Sequence, residues 1–121
     1  MLASDGVYDV PHPHPRGFGC FAQMLGQFVR ERRAVSLEEA IYKMSGFPAQ
    51  RFGLGDRGHL VQGKAADIVV FDPDTVEARA TWTEPKLTAI GIDDVMVNGS
   101  WVKRDGEITG TLSGRAIARS T

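Results

Sequence analysis

Apolar and polar positions change rhythm twice along the chain. Phe21, Met24, Leu25, Phe28 and Val29 recur at i, i+3, i+4, i+7 and i+8, which predicts one apolar helix face. Arg30, Arg32 and Arg33 follow where cations favour the helix dipole, and they read as a solvated helix end. A second helix is punctuated more fully. Ser36 predicts its N-cap and Glu39 completes a capping box, with Leu37, Ala40, Ile41 and Met44 as the buried stripe. Gly46 and Pro48 stop it, and Pro48 suits the first turn of a short third helix ended by Gly53.

The second half is β-like. His59, Leu60 and Val61 predict a short strand. Residues 68–71 (Ile-Val-Val-Phe) predict a fully buried one, closed by Asp72-Pro73. Residues 74–93 alternate weakly and carry Pro85, so they read as mostly loop. Asn98-Gly99 between apolar runs predicts a two-residue type I′ hairpin. That turn would pair Val97 with Ser100, Met96 with Trp101 and Val95 with Val102, leaving Val95, Val97 and Val102 on one face. Asp105-Gly106 turns the chain into Glu107, Ile108 and Thr109. Before the first helix, residues 1–4 read as the end of a strand that Asp5-Gly6 breaks. Pro11, Pro13 and Pro15 then alternate with His12 and His14 in an extended loop. Helices followed by strands make the expected class α+β.

Composition narrows the function. The 121 residues suit one ordinary domain and are about half of the ~250 that a (β/α)8 barrel needs. Fourteen basic against fifteen acidic side chains exclude the basic surplus of a general nucleic-acid binder. One cysteine, Cys20, excludes an internal disulfide and a multi-thiolate zinc site from this chain alone, and it reads as a small buried hydrophobe. No apolar run is long enough to span a bilayer, and the first residues do not resemble a signal peptide. The expectation is a cytoplasmic protein with no membrane or nucleic-acid partner.

Three polar groupings carry candidate chemistry. His12 and His14 have the spacing of metal ligands on a strand. Alternating prolines rotate successive side chains by a third of a turn, however, so loop histidines that shape a site are the better reading. Asp5 in Ser4-Asp5-Gly6 is either an ordinary turn residue or a carboxylate at a strand's end, where barrel enzymes place catalytic groups. Arg16 is either a solvated charge or a fork for bidentate capture of a carboxylate. Asp67, between Ala66 and Ile68, reads as a structural turn carboxylate.

These residues resemble a known family. Ser-Asp-Gly followed by Pro-His-Pro-His-Pro-Arg is similar to the end of the barrel in N-acyl-D-amino-acid deacylases, the D-aminoacylases of the amidohydrolase superfamily. Residues 57–60 (Arg-Gly-His-Leu), residues 63–72 (Gly-Lys-Ala-Ala-Asp-Ile-Val-Val-Phe-Asp), Val97-Asn98-Gly99 and Gly114-Arg115 resemble that superfamily's C-terminal signature. The likeness runs over residues 4–119. Hydantoinases and dihydroorotases share the later elements; the histidine–proline run is the more specific part, and it points to the deacylases.

The resemblance implies that residues 1–56 are the end of a (β/α)8 barrel, with its last strand, active-site loop and helices. Residues 57–121 would be part of the small β-domain and tail. It implies that Asp5 is the general base and can touch a second metal, that Arg16 holds the substrate's α-carboxylate, and that His12 and His14 lie at the substrate. The small-molecule substrate implied is an N-acyl-D-amino acid. Zinc is implied for the parent enzyme and none for the isolated chain, because the family's other metal ligands have no counterpart in this sequence. The chain therefore reads as a C-terminal fragment, inactive alone. Its exposed strand edges predict either pairing with a missing N-terminal barrel segment or self-association. The alternatives are a hydantoinase- or dihydroorotase-like fragment and a non-catalytic remnant.

Overall fold

A computed structural model describes residues 1–117; residues 118–119, where the family resemblance ends, lie outside the described residues. The chain carries helices α1 (Arg16–Gln23), α2 (Leu37–Met44) and α3 (Gly46–Phe52), with a π-helical segment, Met24–Glu31, continuing α1. Strands β1 (Ile68–Phe71), β2 (Ile92–Val97), β3 (Ser100–Arg104) and β4 (Glu107–Ile108) follow in an antiparallel sheet of order β1-β2-β3-β4. The class is α+β, as expected.

Two compact units divide these elements. Among the described residues, one comprises residue 1, residues 41–71 and residues 92–117; the other comprises residues 2–40 and 72–91.

In the second unit the helix begins five residues before the apolar pattern does. Pro15 takes φ −53° at the N-cap position, so its ring starts α1 instead of blocking it. At Met24 the winding loosens, and the Arg32 N–H reaches the Gln27 carbonyl at 2.9 Å, five residues back. Two turns of apolar spacing do not separate this winding from an α-helix, and only Leu25 of the expected stripe is buried. Gly26 lets the 76–77 backbone come close, since a Cβ on it would meet the Val76 carbonyl at 2.8 Å. Arg30 donates to the same carbonyl at 2.7 Å and to that of Pro73 at 3.2 Å, so it is a tether and not part of a solvated helix end. Val76, fully buried, is the centre of this small core.

Ser36 caps α2 as its sequence predicts, its hydroxyl accepting the Glu39 N–H at 3.1 Å. Ala40 is buried and Ile41 exposed, so the expected stripe is narrower. Gly53, at φ 70°, ends α3 in the left-handed conformation.

The first unit's sheet corrects three expectations. Residues 59–61 make no strand: Gly58 and Gly63, at φ 85° and 89°, bracket them and turn the chain instead. β1 is an edge strand, and Val69 and Val70 are 54% and 44% exposed rather than fully buried. The hairpin pairs Val97 with Ser100 and Met96 with Trp101 as expected, but then Val95 with Lys103. The turn sets only the nearest pairs; a bulge makes Val102 the extra residue, and its carbonyl accepts from Thr109 N–H at 3.1 Å. Residues 1–8 form no strand, because a strand needs a neighbour to pair with and the sheet of the described residues contains β1 to β4 only.

Candidate functional site

Asp5 sits in a left-handed turn at φ 47°, a conformation that Asp tolerates better than most residues. Gly6 allows the turn to approach α1, since a Cβ there would lie 2.9 Å from Gly17 Cα and 2.8 Å from the Tyr8 ring. That approach brings Asp5 to Arg16. Nη2 of Arg16 donates to Asp5 Oδ2 at 2.7 Å, and its Nε donates to the Asp5 backbone carbonyl at 3.2 Å. The pair is open to solvent, the side chains being 84% and 45% exposed. Among the described residues, these contacts engage two of the five guanidinium N–H groups and one carboxylate oxygen.

The two histidines do not converge as metal ligands. Nε2 of His12 donates to the Trp82 carbonyl at 2.7 Å. The His14 ring lies edge-on to the Trp82 indole, with centroids 4.5 Å apart, and its Nδ1 accepts the Arg16 backbone N–H at 3.0 Å. The segment thus organises Arg16 on one side and Trp82 on the other. An open cleft of about 400 Å³ lies there, lined by His14, Arg16, Gln23, Gln27, Glu77 and Trp82. Trp82 is the residue that sequence reasoning missed. It stands in the weakly patterned stretch of residues 74–93, where no periodicity marks it.

Cys20 is half-buried, with Sγ donating to the Ala3 carbonyl at 3.5 Å. Burial pushes its thiol above the ordinary value, and nearby Arg16 opposes that rise. A structural thiol fits this position better than a nucleophilic one.

A second charged cluster lies in the other unit. Arg57, buried, donates through Nε and Nη2 to both Asp56 carboxylate oxygens at 3.2 and 3.3 Å. It also donates to Asp67 Oδ2 and to Asn98 Oδ1. Asp67 Oδ1 accepts the Asn98 N–H at 2.8 Å, and Asn98 Nδ2 donates to the Ser113 carbonyl at 2.7 Å. Hydrogen bonding from Arg57 holds the Asp56 carboxyl below its ordinary value against a smaller effect of burial. Every group in the cluster is occupied by another, so Asp67 is a structural carboxylate, as its sequence context suggests.

Among the described residues no three His, Cys, Asp or Glu side chains group so as to hold an ion. The Asp5 carboxylate is held by Arg16, and both histidines are turned to Trp82.

Comparison with known proteins adds a family. The amidohydrolase family matches residues 1–103. The D-aminoacylase of Alcaligenes xylosoxydans xylosoxydans is 45% identical over 120 residues, covering 99% of this chain and 25% of that protein. The N-acyl-D-glutamate deacylase of the same organism is 52% identical over 99 residues, covering 82% and 20%. Among solved structures, the crystal structure of D-aminoacylase superposes with a TM-score of 0.95 at 44% identity, covering 98% of this chain and 25% of its own. N-acyl-D-glutamate deacylase from Bordetella bronchiseptica, crystallised with zinc and a phosphonate mimic of the tetrahedral intermediate, gives a TM-score of 0.83 at 47% identity. It covers 89% of this chain and 24% of its own. The chain spans a fifth to a quarter of the length of these relatives.

Proposed function

This chain belongs to the amidohydrolase family, and from that premise we propose that it is the C-terminal part of an enzyme that hydrolyses N-acyl-D-amino acids to a D-amino acid and a carboxylate. The observation that carries the reading is the Asp5–Arg16 pair, in which a carboxylate and a guanidinium share one open site. Similarity to D-aminoacylase over nearly the whole chain supports it.

Asp5 is the proton carrier in this reading. Its Oδ2 is fixed by Arg16, while among the described residues Oδ1 has no hydrogen-bond partner and is left to accept a proton from the attacking water. The same carboxyl returns that proton to the leaving nitrogen. Arg16 keeps donors free beyond the two spent on Asp5, and these suit bidentate capture of the substrate's α-carboxylate. One side chain thereby orients both the base and the substrate, which converts binding into alignment of the reacting bond. Zinc belongs to the whole protein in this proposal, because a related structure is complexed with it. Its ligands would come from outside the described residues.

The test compares two substrates in the whole protein. Losing a charge-assisted contact costs about 1.5–3 kcal/mol, so Arg16→Met should lower kcat/KM for an N-acyl-D-amino acid roughly tenfold to a hundredfold through the clamp. The corresponding α-carboxamide already lacks the partner. It should lose only the part that comes from releasing Asp5. Equal losses on acid and amide would remove the clamp from the proposal.

A further inference from the structure

We propose that Trp82 is a substrate-binding residue, its indole forming the wall against which the substrate's amino-acid side chain packs when Arg16 holds the α-carboxylate. The assignment rests on the deacylase reading and deepens it.

Trp82 stands in a segment without regular structure, yet it is anchored from several sides. His12 bonds its carbonyl at 2.7 Å and the His14 ring packs edge-on against the indole. The turn that carries it is closed by Glu84 N–H on Thr81 Oγ1 at 3.0 Å and by Thr81 N–H on the Glu84 carbonyl at 3.1 Å.

The position of the ring says which part of the ligand covers it. His14 touches the indole and also accepts the Arg16 backbone N–H, so ring and guanidinium are set from one imidazole. Trp82, His14 and Arg16 line the same cleft. The cleft also passes Gly19 and Ala78, small residues packed so closely that a Cβ on Gly19 would meet the Ala78 Cβ at 3.1 Å. In an N-acyl amino acid, the carbon that bears the carboxylate also bears the side chain. A carboxylate on Arg16 therefore brings that side chain to the cleft, where an indole face favours an apolar group.

The experiment measures kcat/KM of the whole protein for N-acetyl-D-leucine and N-acetyl-D-alanine. Trp82→Ala should lower the value roughly tenfold to a hundredfold for the leucine substrate, mainly through KM, and about threefold or less for the alanine substrate. Trp82→Phe keeps an aromatic wall and should recover most of the difference. His12→Ala loosens the anchor and should shift the ratio in the same direction by less. Equal losses on both substrates with Trp82→Ala and Trp82→Phe would overturn the assignment alone. Hydrolysis of N-acetyl-D-glutamate but of neither of these two substrates would overturn this assignment alone, and failure on all three would overturn the deacylase reading with it.

Discussion

Arg57 meets Asp56, Asp67 and Asn98 with a side chain only 9% exposed, whereas Arg16 meets Asp5 with nearly half of its side chain open to water. The first guanidinium spends donors on three partners from three stretches of chain, and each partner is itself held. Asp67 takes the turn at Asn98, and Asn98 takes the carbonyl of Ser113. Nothing can enter such a cluster without leaving a buried charge unpaired, which is the costly outcome. The second guanidinium makes two contacts with a single residue and keeps donors in reserve. The same chemical pair therefore serves two ends. Saturation and burial make one a clasp of the fold, and spare valence and exposure make the other able to exchange partners with a ligand.

The largest expected effect separates the two pairs by what they disturb. Asp5→Asn in the whole protein should lower kcat by roughly 10²–10⁴-fold, as loss of a general base does, while its melting temperature stays close to that of the unaltered protein. Asp67→Asn should do the reverse, because it leaves the Arg57 guanidinium short of a carboxylate and does not touch the site. A stopped reaction in Asp67→Asn at unchanged Tm would erase the distinction between the two pairs.

Next in size is the clasp itself. Arg57→Met removes the donors to Asp56, Asp67 and Asn98 together, and should lower the melting temperature on the order of 10 °C. Arg57→Lys keeps the charge but cannot make the side-on pair with both Asp56 oxygens, so it should recover only part of that loss. Full recovery by lysine would mean that charge alone holds the cluster, and the geometric account would fail.

The punctuation of the chain was legible from its residues where the cause is local. Ser36 caps α2, Gly53 ends α3 and Asn98-Gly99 turns the hairpin, because each rests on a residue's own preferred dihedrals or a hydrogen bond within one turn. What failed needs distant partners. The bulge at Val102 answers to Thr109, the π-helical winding coincides with the approach of residues 76–77 to Gly26, and residues 59–61 find no strand to join. The same division runs through the site. Asp5, His12, His14 and Arg16 lie within twelve residues and could be singled out by chemical type. Trp82 lies seventy residues from His12, and only the fold joins them.

The smallest expected effect lies in the acid range, and it tests whether the clasp is an ion pair in more than appearance. Arg57 holds the Asp56 carboxyl below its ordinary value, so the folded state binds that proton more weakly than the unfolded chain does. Stability from the pair is then complete above the unfolded value of ~3.9 and is lost as pH falls through the lower folded value. Asp56→Asn removes this dependence. Its Tm should therefore lie below that of the unaltered chain at neutral pH, and the gap should close as the pH falls through the lowered folded-state value. Other carboxylates contribute to the acid limb of both proteins, which is why the difference between them, and not either curve alone, is the quantity to follow. A gap that stays constant from pH 7 to pH 2 would show that Asp56 acts through packing or neutral hydrogen bonds. The contrast between a closed ionic clasp and an open exchangeable pair would then rest on Asp67 alone.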